Sequence, residues 1–340
     1  MQLSKLSHDE REVYSWSILD GETIFITGGT GFFGTSLLYS LLRVKSLKEI
    51  NIQITILTRD IISFSKEHPL LYKSDFIDFI NGDIVNFDFP DKKFSRILHM
   101  ATTTAEETFN GESQLKKYKT LVDGSERVMK LASKCGAKNV LFTSSGVAYG
   151  ELPEGKVKEN NMGAPSTIDP LSALGHGKRS AEFIISSFAD KYDINYIIAR
   201  CFSFIGPGLP LNMHYAVGNF VRDALTKDKI VISGDGSNIR SYMDIRDLVT
   251  WILILLSKNN NRGLYNVGSD NEISIMKLAF LVRDIIAPDK DIEVQNKIEN
   301  NTGNFLRSWY VPNIEKANKD FDLKAWTNLS SSIKYMVEKL

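Results

Sequence analysis

Gly28, Gly31 and Gly34 recur at three-residue spacing inside TIFITGGTGFFG, residues 23–34, and no other spacing in the chain points to so specific a chemistry. The residues before them are β-branched and aromatic, as in a buried strand. Those after them, 35–44, follow a helical pattern. A strand that turns straight into a helix leaves the first N–H groups of the helix without partners and aims them at one point. The helix dipole makes that point positive, so a pyrophosphate binds well there. Glycine permits the sharp turn, the close approach of backbone to ligand and tight helix–strand packing. A dinucleotide is the expected ligand, with contacts from Gly28, Thr30, Gly31, Phe32, Phe33 and Gly34.

Such a site also needs a group for the adenosine ribose at the end of the second strand. There residues 54–57 lead into Thr58-Arg59-Asp60. An acid directly after the strand would accept a hydrogen bond from a 2′-hydroxyl and repel a 2′-phosphate. Thr58 stands there instead, and the guanidinium fork of Arg59 suits a 2′-phosphate. The cofactor is thus NAD or NADP, with Arg59 leaning the reading to NADP. Asp60, one residue later, still lies within reach of a ribose. Asp83, just past the next strand, belongs either to the adenine side of the cleft or to a turn.

The scaffold these residues require is legible as alternation. Apolar strands at 52–57, 75–80, 96–100, 139–144 and 195–202 alternate with helical patterns at 113–134 and 178–189. This predicts an α/β fold, a Rossmann-like doubly wound parallel sheet. The second half is less regular, with a loop at 204–210 and helical patterns at 219–225, 248–257 and 275–286. It is expected to form a smaller lobe over the carboxyl ends of the strands. Residues 1–20 read as an added arm, helical or irregular. Residues 21–202, with returning segments around 238–268, read as the dinucleotide-binding domain, and 203–340 as the discontinuous second lobe.

Composition narrows the function classes. Lys and Arg number 41 and Asp and Glu 41, so no global field draws the chain to nucleic acid or an anionic membrane. No basic stripe or nucleic-acid motif is present. No apolar run reaches ~18 residues and the start lacks a signal-peptide pattern, so a cytoplasmic location is expected. Cys135 and Cys201, the two cysteines, sit in apolar contexts and read as reduced core residues. No metal is expected.

Read in order, the motifs resemble the extended short-chain dehydrogenase/reductases that modify nucleotide-linked sugars, over roughly residues 22–340. TGGTGFFG is similar to that family's T-G-x-x-G-x-x-G, and His99-Met100-Ala101-Thr102 to its H-L-A-A. Residues 143–150, TSSGVAYG, are similar to S-S-x-x-V-Y-G, and Lys178-Arg179-Ser180-Ala181-Glu182 to the end of Y-x-x-x-K-x-x-x-E. Further on, RCFSFIGPG resembles R-x-F-N-x-Y-G-P, GDG with Arg240 resembles G-D-G-x-x-x-R, and Tyr265-Asn266-Val267-Gly268 resembles Y-N-V-G.

The resemblance implies a Ser/Thr, a Tyr and a Lys that move a proton at a sugar hydroxyl while hydride passes to or from a nicotinamide. Ser145 and Lys178 take two of these places. The third, four residues before Lys178, holds Leu174, which carries no proton. Tyr149, His176, Tyr242 or a water are the candidates to replace it, with Tyr149 nearest in sequence to Ser145. By the same resemblance Asp83, Ile84 and Ala101 line the cofactor. Thr102, Ser145, Asn219, Arg240 and Arg307 line a nucleotide sugar, and two helices build a homodimer. The family's 4,6-dehydratases place Asp-Glu where Gly146 and Val147 stand here, so that dehydration is not expected. The implied activity is C4 epimerisation or 4-keto reduction of a nucleotide sugar, in surface-polysaccharide or deoxysugar biosynthesis. The alternative, raised by Leu174, is a non-catalytic NAD(P)-binding relative that serves as a sensor or partner subunit.

Overall fold

The computed structural model describes residues 2–103, 111–213, 215–259, 261–295 and 308–340. Its centre is a seven-stranded sheet built from β1 (Thr23–Thr27), β2 (Gln53–Thr58), β3 (Ile77–Asn81), β4 (Arg96–His99), β5 (Asn139–Ser145), β6 (Asn195–Cys201) and a last strand, Arg262–Val267. The order across the sheet is Arg262–Val267, β6, β5, β4, β1, β2, β3. Every pairing is parallel. β1 and β4 are neighbours, with Thr27 opposite His99, yet the chain leaves β1 toward β2 and β3 and returns to run outward from β4. The strand order reverses at that place, so a crevice opens beyond the carboxyl ends of β1 and β4.

The strands are apolar because helices cover both faces. On one face lie Phe32–Leu47 and Ile245–Ser257, whose Leu37, Leu41, Leu248 and Ile252 meet Ile24, Ile26 and Ile54. On the other lie Gln114–Cys135 and Ala173–Tyr192, with Val128, Leu131, Ala181 and Ile185 packed on Phe25, Ile97 and Phe142. The N-terminal arm contains the helix His8–Ser17, capped reciprocally by Ser7 and Glu10. Trp16 is fully buried, and its indole donates to Ser40 Oγ at 2.9 Å. Arg43 pairs with Asp9 and Glu12, which ties the arm to the first crossover helix.

The remaining elements have their own apolar cluster of Val217, Phe220, Ile230, Leu278, Val282 and Ile333. It joins the helices Ala216–Thr226, Ile275–Ile286 and Leu329–Glu338. A small sheet places Ile239–Ser241 between Glu272–Ser274 and Trp309–Tyr310, with Tyr310 opposite Arg240. Among the described residues no helix is long and apolar enough to cross a membrane.

Helix boundaries shift in a way that matters for the site. The first crossover helix starts at Phe32 rather than 35, so Gly34 lies inside its first turn. A Cβ on Gly34 would lie 2.3 Å from Gly29 O, which is backbone and cannot swing aside. The Gly34→Ala variant is expected to lose roughly 1–3 kcal/mol of stability. Gly234→Ala, where an added Cβ meets nothing within 4 Å, should stay near wild type. Thermal denaturation checks this, and equal melting temperatures for the two variants would refute the packing account.

Candidate active site

At the end of β1, Gly28 adopts φ +73°, and an added Cβ would sit 2.7 Å from Ala101 N and from Met100 C. The turn therefore presses against the segment that follows β4. Gly31 is the N-cap residue of the helix Phe32–Leu47, and no side chain caps that end. An added Cβ at Gly31 would find only Gly28 O, at 3.6 Å. The helix thus starts with amides at Phe32, Phe33 and Gly34 that no side chain caps, behind a glycine with room beside it, a donor set that fits a pyrophosphate. On the rim, Thr30 and Thr58 hydroxyls lie 3.5 Å apart. Arg59 is exposed. Asp60 is engaged as a cap, its Oδ1 accepting from Ser63 N at 2.8 Å. Asp83 Oδ1 accepts from Val85 N at 3.1 Å, which is the turn role. Ile84 packs against Gly124, while Ala101 N donates to Thr27 Oγ1 at 3.1 Å and Thr102 is exposed beside it.

Beyond this mouth, at the end of β5, stands Ser145. Lys178 comes to the same corner from the helix Ala173–Tyr192, one turn after half-buried Leu174. Its Nζ donates to Thr143 O at 2.7 Å and lies 4.7 Å above the Phe142 ring. Burial pushes its pKa down to about 8. The nearest phenol belongs to Tyr310, whose Oη is 3.5 Å from Ser145 Oγ. Tyr310 arrives on a two-residue strand, Trp309–Tyr310, that pairs with Ile239–Ser241. In the sequence it is one aromatic in Arg-Ser-Trp-Tyr with no periodicity around it, so spacing alone gave no signal for it.

The structure corrects the reading of Tyr149 as a stand-in acid/base. Its ring is fully buried, and its hydroxyl donates to Asn266 Oδ1 at 2.7 Å. Burial pushes that phenol up to about 12. Tyr149 instead belongs to a polar network under the site. Arg200 lies 4.1 Å above its ring and makes a two-point ion pair with Glu182, at 2.9 and 2.6 Å. Glu182 Oε1 also accepts from Ser144 Oγ at 2.5 Å. His176 bonds Ser166 O at 2.9 Å. Tyr242 packs into the second lobe's core beside Arg240. Neither meets Ser145.

His99 is likewise structural. Its two nitrogens lie 2.7 Å from Thr27 Oγ1 and 3.0 Å from Ser125 Oγ, which joins β1 and β4 to the helix Gln114–Cys135. Burial, with the Lys178 charge nearby, pushes its pKa down to about 3.

On the facing side, Arg240 is half-buried and donates to Ile239 O, Ser308 O and Ser308 Oγ at 2.8–3.1 Å. Among the described residues no carboxylate pairs with it, and burial lowers its pKa. A sheltered guanidinium without an acid is suited to a phosphate. Asn219 Oδ1 accepts from Arg222 on the same helix at 3.2 Å. Arg307 lies outside the described residues.

Residues 24–268 match the model of the NAD dependent epimerase/dehydratase family. The chain belongs to this family. It is 29% identical over 271 residues to UDP-glucuronic acid decarboxylase 1 of Arabidopsis thaliana, covering 79% of this chain and 60% of that protein. It therefore spans about 60% of the length of the first curated relatives it matches. The fold is that of UDP-N-acetylglucosamine 4-epimerase from Methanobrevibacter ruminantium M1, with a TM-score of 0.78 at 20% identity over 94% of this chain and 98% of that one. It is also that of UDP-glucuronic acid 4-epimerase from Bacillus cereus, solved with UDP-glucuronic acid and NAD, with a TM-score of 0.77 at 20% identity over 93% and 98% of the two chains. For an NAD dependent family the glycine mouth supplies the expected seat.

The His99 environment predicts an acid dependence. The folded value of about 3 lies below the ordinary 6.5. As pH falls from 6.5, the unfolded chain takes up a proton that the native imidazole refuses, so stability falls until about pH 3. The loss is at most roughly 1.4 kcal/mol per pH unit. Denaturant unfolding across this range should show a shallower acid loss in His99→Gln than in wild type. Parallel curves would contradict the assignment.

Proposed function

We propose that this chain is an NAD-dependent enzyme that oxidises and reduces a carbinol of a nucleotide-linked sugar, most directly in C4 epimerisation or 4-keto reduction. One observation supports this reading above the rest. Ser145 and Lys178 come from β5 and the helix after it, beyond a glycine turn that suits a dinucleotide, and Arg240, a sheltered cation with no acid partner among the described residues, lies opposite the Tyr310 whose hydroxyl meets Ser145. When bound, the nicotinamide supplies a hydride acceptor or donor. The chain's own groups do the rest. The amides of Phe32, Phe33 and Gly34 hold the pyrophosphate, Ser145 orients the sugar oxygen, Lys178 brings positive charge, and Arg240 holds a phosphate of the substrate. Thr102 and Asn219 stand where further substrate contacts are expected, and Arg307 joins them by resemblance.

Gly146 and Val147 offer neither acid nor base, which disfavours 4,6-dehydration. The names of the relatives point to a UDP-sugar, and UDP-glucuronic acid belongs in any first panel. Between the two coenzymes, Arg59 favours NADP and the family's name favours NAD, and we take NAD as the working cofactor. The adjacent helices Gln114–Cys135 and Ala173–Tyr192 expose Leu115 at 63% and Phe183 at 72%, apolar surface that a second copy would cover. A homodimer through these helices is part of the proposal. Leu174 sustains a second reading, a protein that binds the cofactor and turns nothing over.

Incubation with NAD or NADP and a panel of UDP-, GDP-, dTDP- and CDP-sugars decides between the two. A new sugar nucleotide, or a change in the absorbance of reduced nicotinamide, is the expected result. For an active substrate, Arg240→Met should raise KM roughly ten- to a hundredfold. Tight cofactor binding without any product would favour the second reading.

A further inference from the structure

The proposed chemistry requires a group that holds a proton beside Ser145, and Leu174 cannot be that group. Resting on that reading of the site, we propose that the Tyr310 phenol is the acid/base that takes the place of the residue missing at Leu174. It reaches the same corner from the strand Trp309–Tyr310.

Several observations place its oxygen there. Tyr310 Oη lies 3.5 Å from Ser145 Oγ, and that same Ser145 Oγ accepts from the Val147 amide at 3.4 Å. A Ser145 hydroxyl that donates to the phenol oxygen favours its ionised form. The space exists because residue 146 is glycine: a Cβ there would come within 2.8 Å of Tyr310 Oη and 2.9 Å of the Phe202 ring. The ring is held by Phe202, with centroids 4.7 Å apart. Strand pairing puts Tyr310 opposite Arg240, so the phenol and the candidate phosphate-binding cation share one ribbon. The residue as a whole is half-buried.

Among the described residues, other titratable groups near this corner are engaged elsewhere. Tyr149 is committed to Asn266, His176 to Ser166, and His99 to Thr27 and Ser125. Cys201, opposite Ser145 on β6, is a buried thiol pushed up to about 12 despite the pull of Lys178. Tyr310 itself is pushed up to about 12 by burial, with the Cys201 thiol acting in the same direction and Ser145, Arg240 and Val147 against it. A positive charge entering the corner with the oxidised coenzyme lowers that value. In the oxidative direction the phenolate oxygen accepts the carbinol proton while the carbinol carbon gives up its hydride to the coenzyme. The products are a ketone, reduced coenzyme and neutral phenol. The reductive direction returns both.

The test uses Tyr310→Phe, which keeps the ring contact with Phe202 and removes only the oxygen. Tyrosinate absorbance is titrated in wild type and variant, with and without saturating NAD. The expected result is that NAD brings one of the 12 tyrosines to ionise about one pH unit or more below its value without NAD, and that Tyr310→Phe abolishes this change. Unchanged titration in the variant overturns the proposal, as does the absence of any NAD-dependent tyrosinate in wild type. With a substrate found, kcat should fall roughly 10²- to 10⁴-fold while KM changes little. Full turnover by the variant refutes Tyr310 and leaves the enzymatic reading standing. A wild type with no turnover on any sugar counts against that reading, while the titration still judges Tyr310.

Discussion

The close seating of a helix on the strand before it, with no side chain between, is the constraint from which the site follows. Gly34 rests on the backbone of Gly29, and Gly28 presses on Met100 and Ala101. Any Cβ at these places would lift the helix or push β4 away. The compression sets uncapped amides at the head of the crevice between β1 and β4. β5 lies next to β4, so its carboxyl end delivers Ser145 to the same crevice. The helix after it supplies Lys178.

A second, buried layer keeps that corner in shape. Arg200, Glu182 and Ser144 form one hydrogen-bonded unit, capped by the Tyr149 ring and extended through its hydroxyl to Asn266. Asn266 Nδ2 in turn donates to Val157 O at 2.8 Å, which fastens the loop after β5 to the last sheet strand. An ion pair this buried contributes little net stability compared with apolar residues of the same shape. Removing one partner costs far more, because the other charge is left alone. Several motif residues that look chemical in the sequence are thus engaged in structural bonds, and the proposed chemistry rests on Ser145 and Lys178.

Much of this was legible in the chain. The sheet strands appear as short β-branched runs because both faces are covered, and the glycine spacing marks the crevice before any coordinate is known. Lys178 and Ser145 are candidates from motif order alone. Tyr149 misled because sequence proximity to Ser145 says nothing of which way the ring turns after β5. The contact of Tyr310 with Ser145 had no signal in the sequence for the opposite reason. The tyrosine's strand is two residues long, has no period to detect, and lies 165 positions from the serine it meets. Asp60 and Asp83 show how an acid at a ligand-like position can serve a cap or a turn, since Asp side chains satisfy local amides. The short strands paired with Ile239–Ser241 escaped for want of length, and the sequence left the N-terminal arm, residues 1–20, open between helical and irregular.

The most direct test of the account is calorimetric titration of NAD into wild type and into Gly31→Glu. Gly31 has room for a side chain, since an added Cβ meets nothing closer than 3.6 Å, so the variant should fold as wild type does. A carboxylate at the mouth would repel a pyrophosphate. NAD binding to wild type, lost in Gly31→Glu with the melting temperature unchanged, is the predicted result. Equal binding by both proteins, or none by wild type, would contradict it.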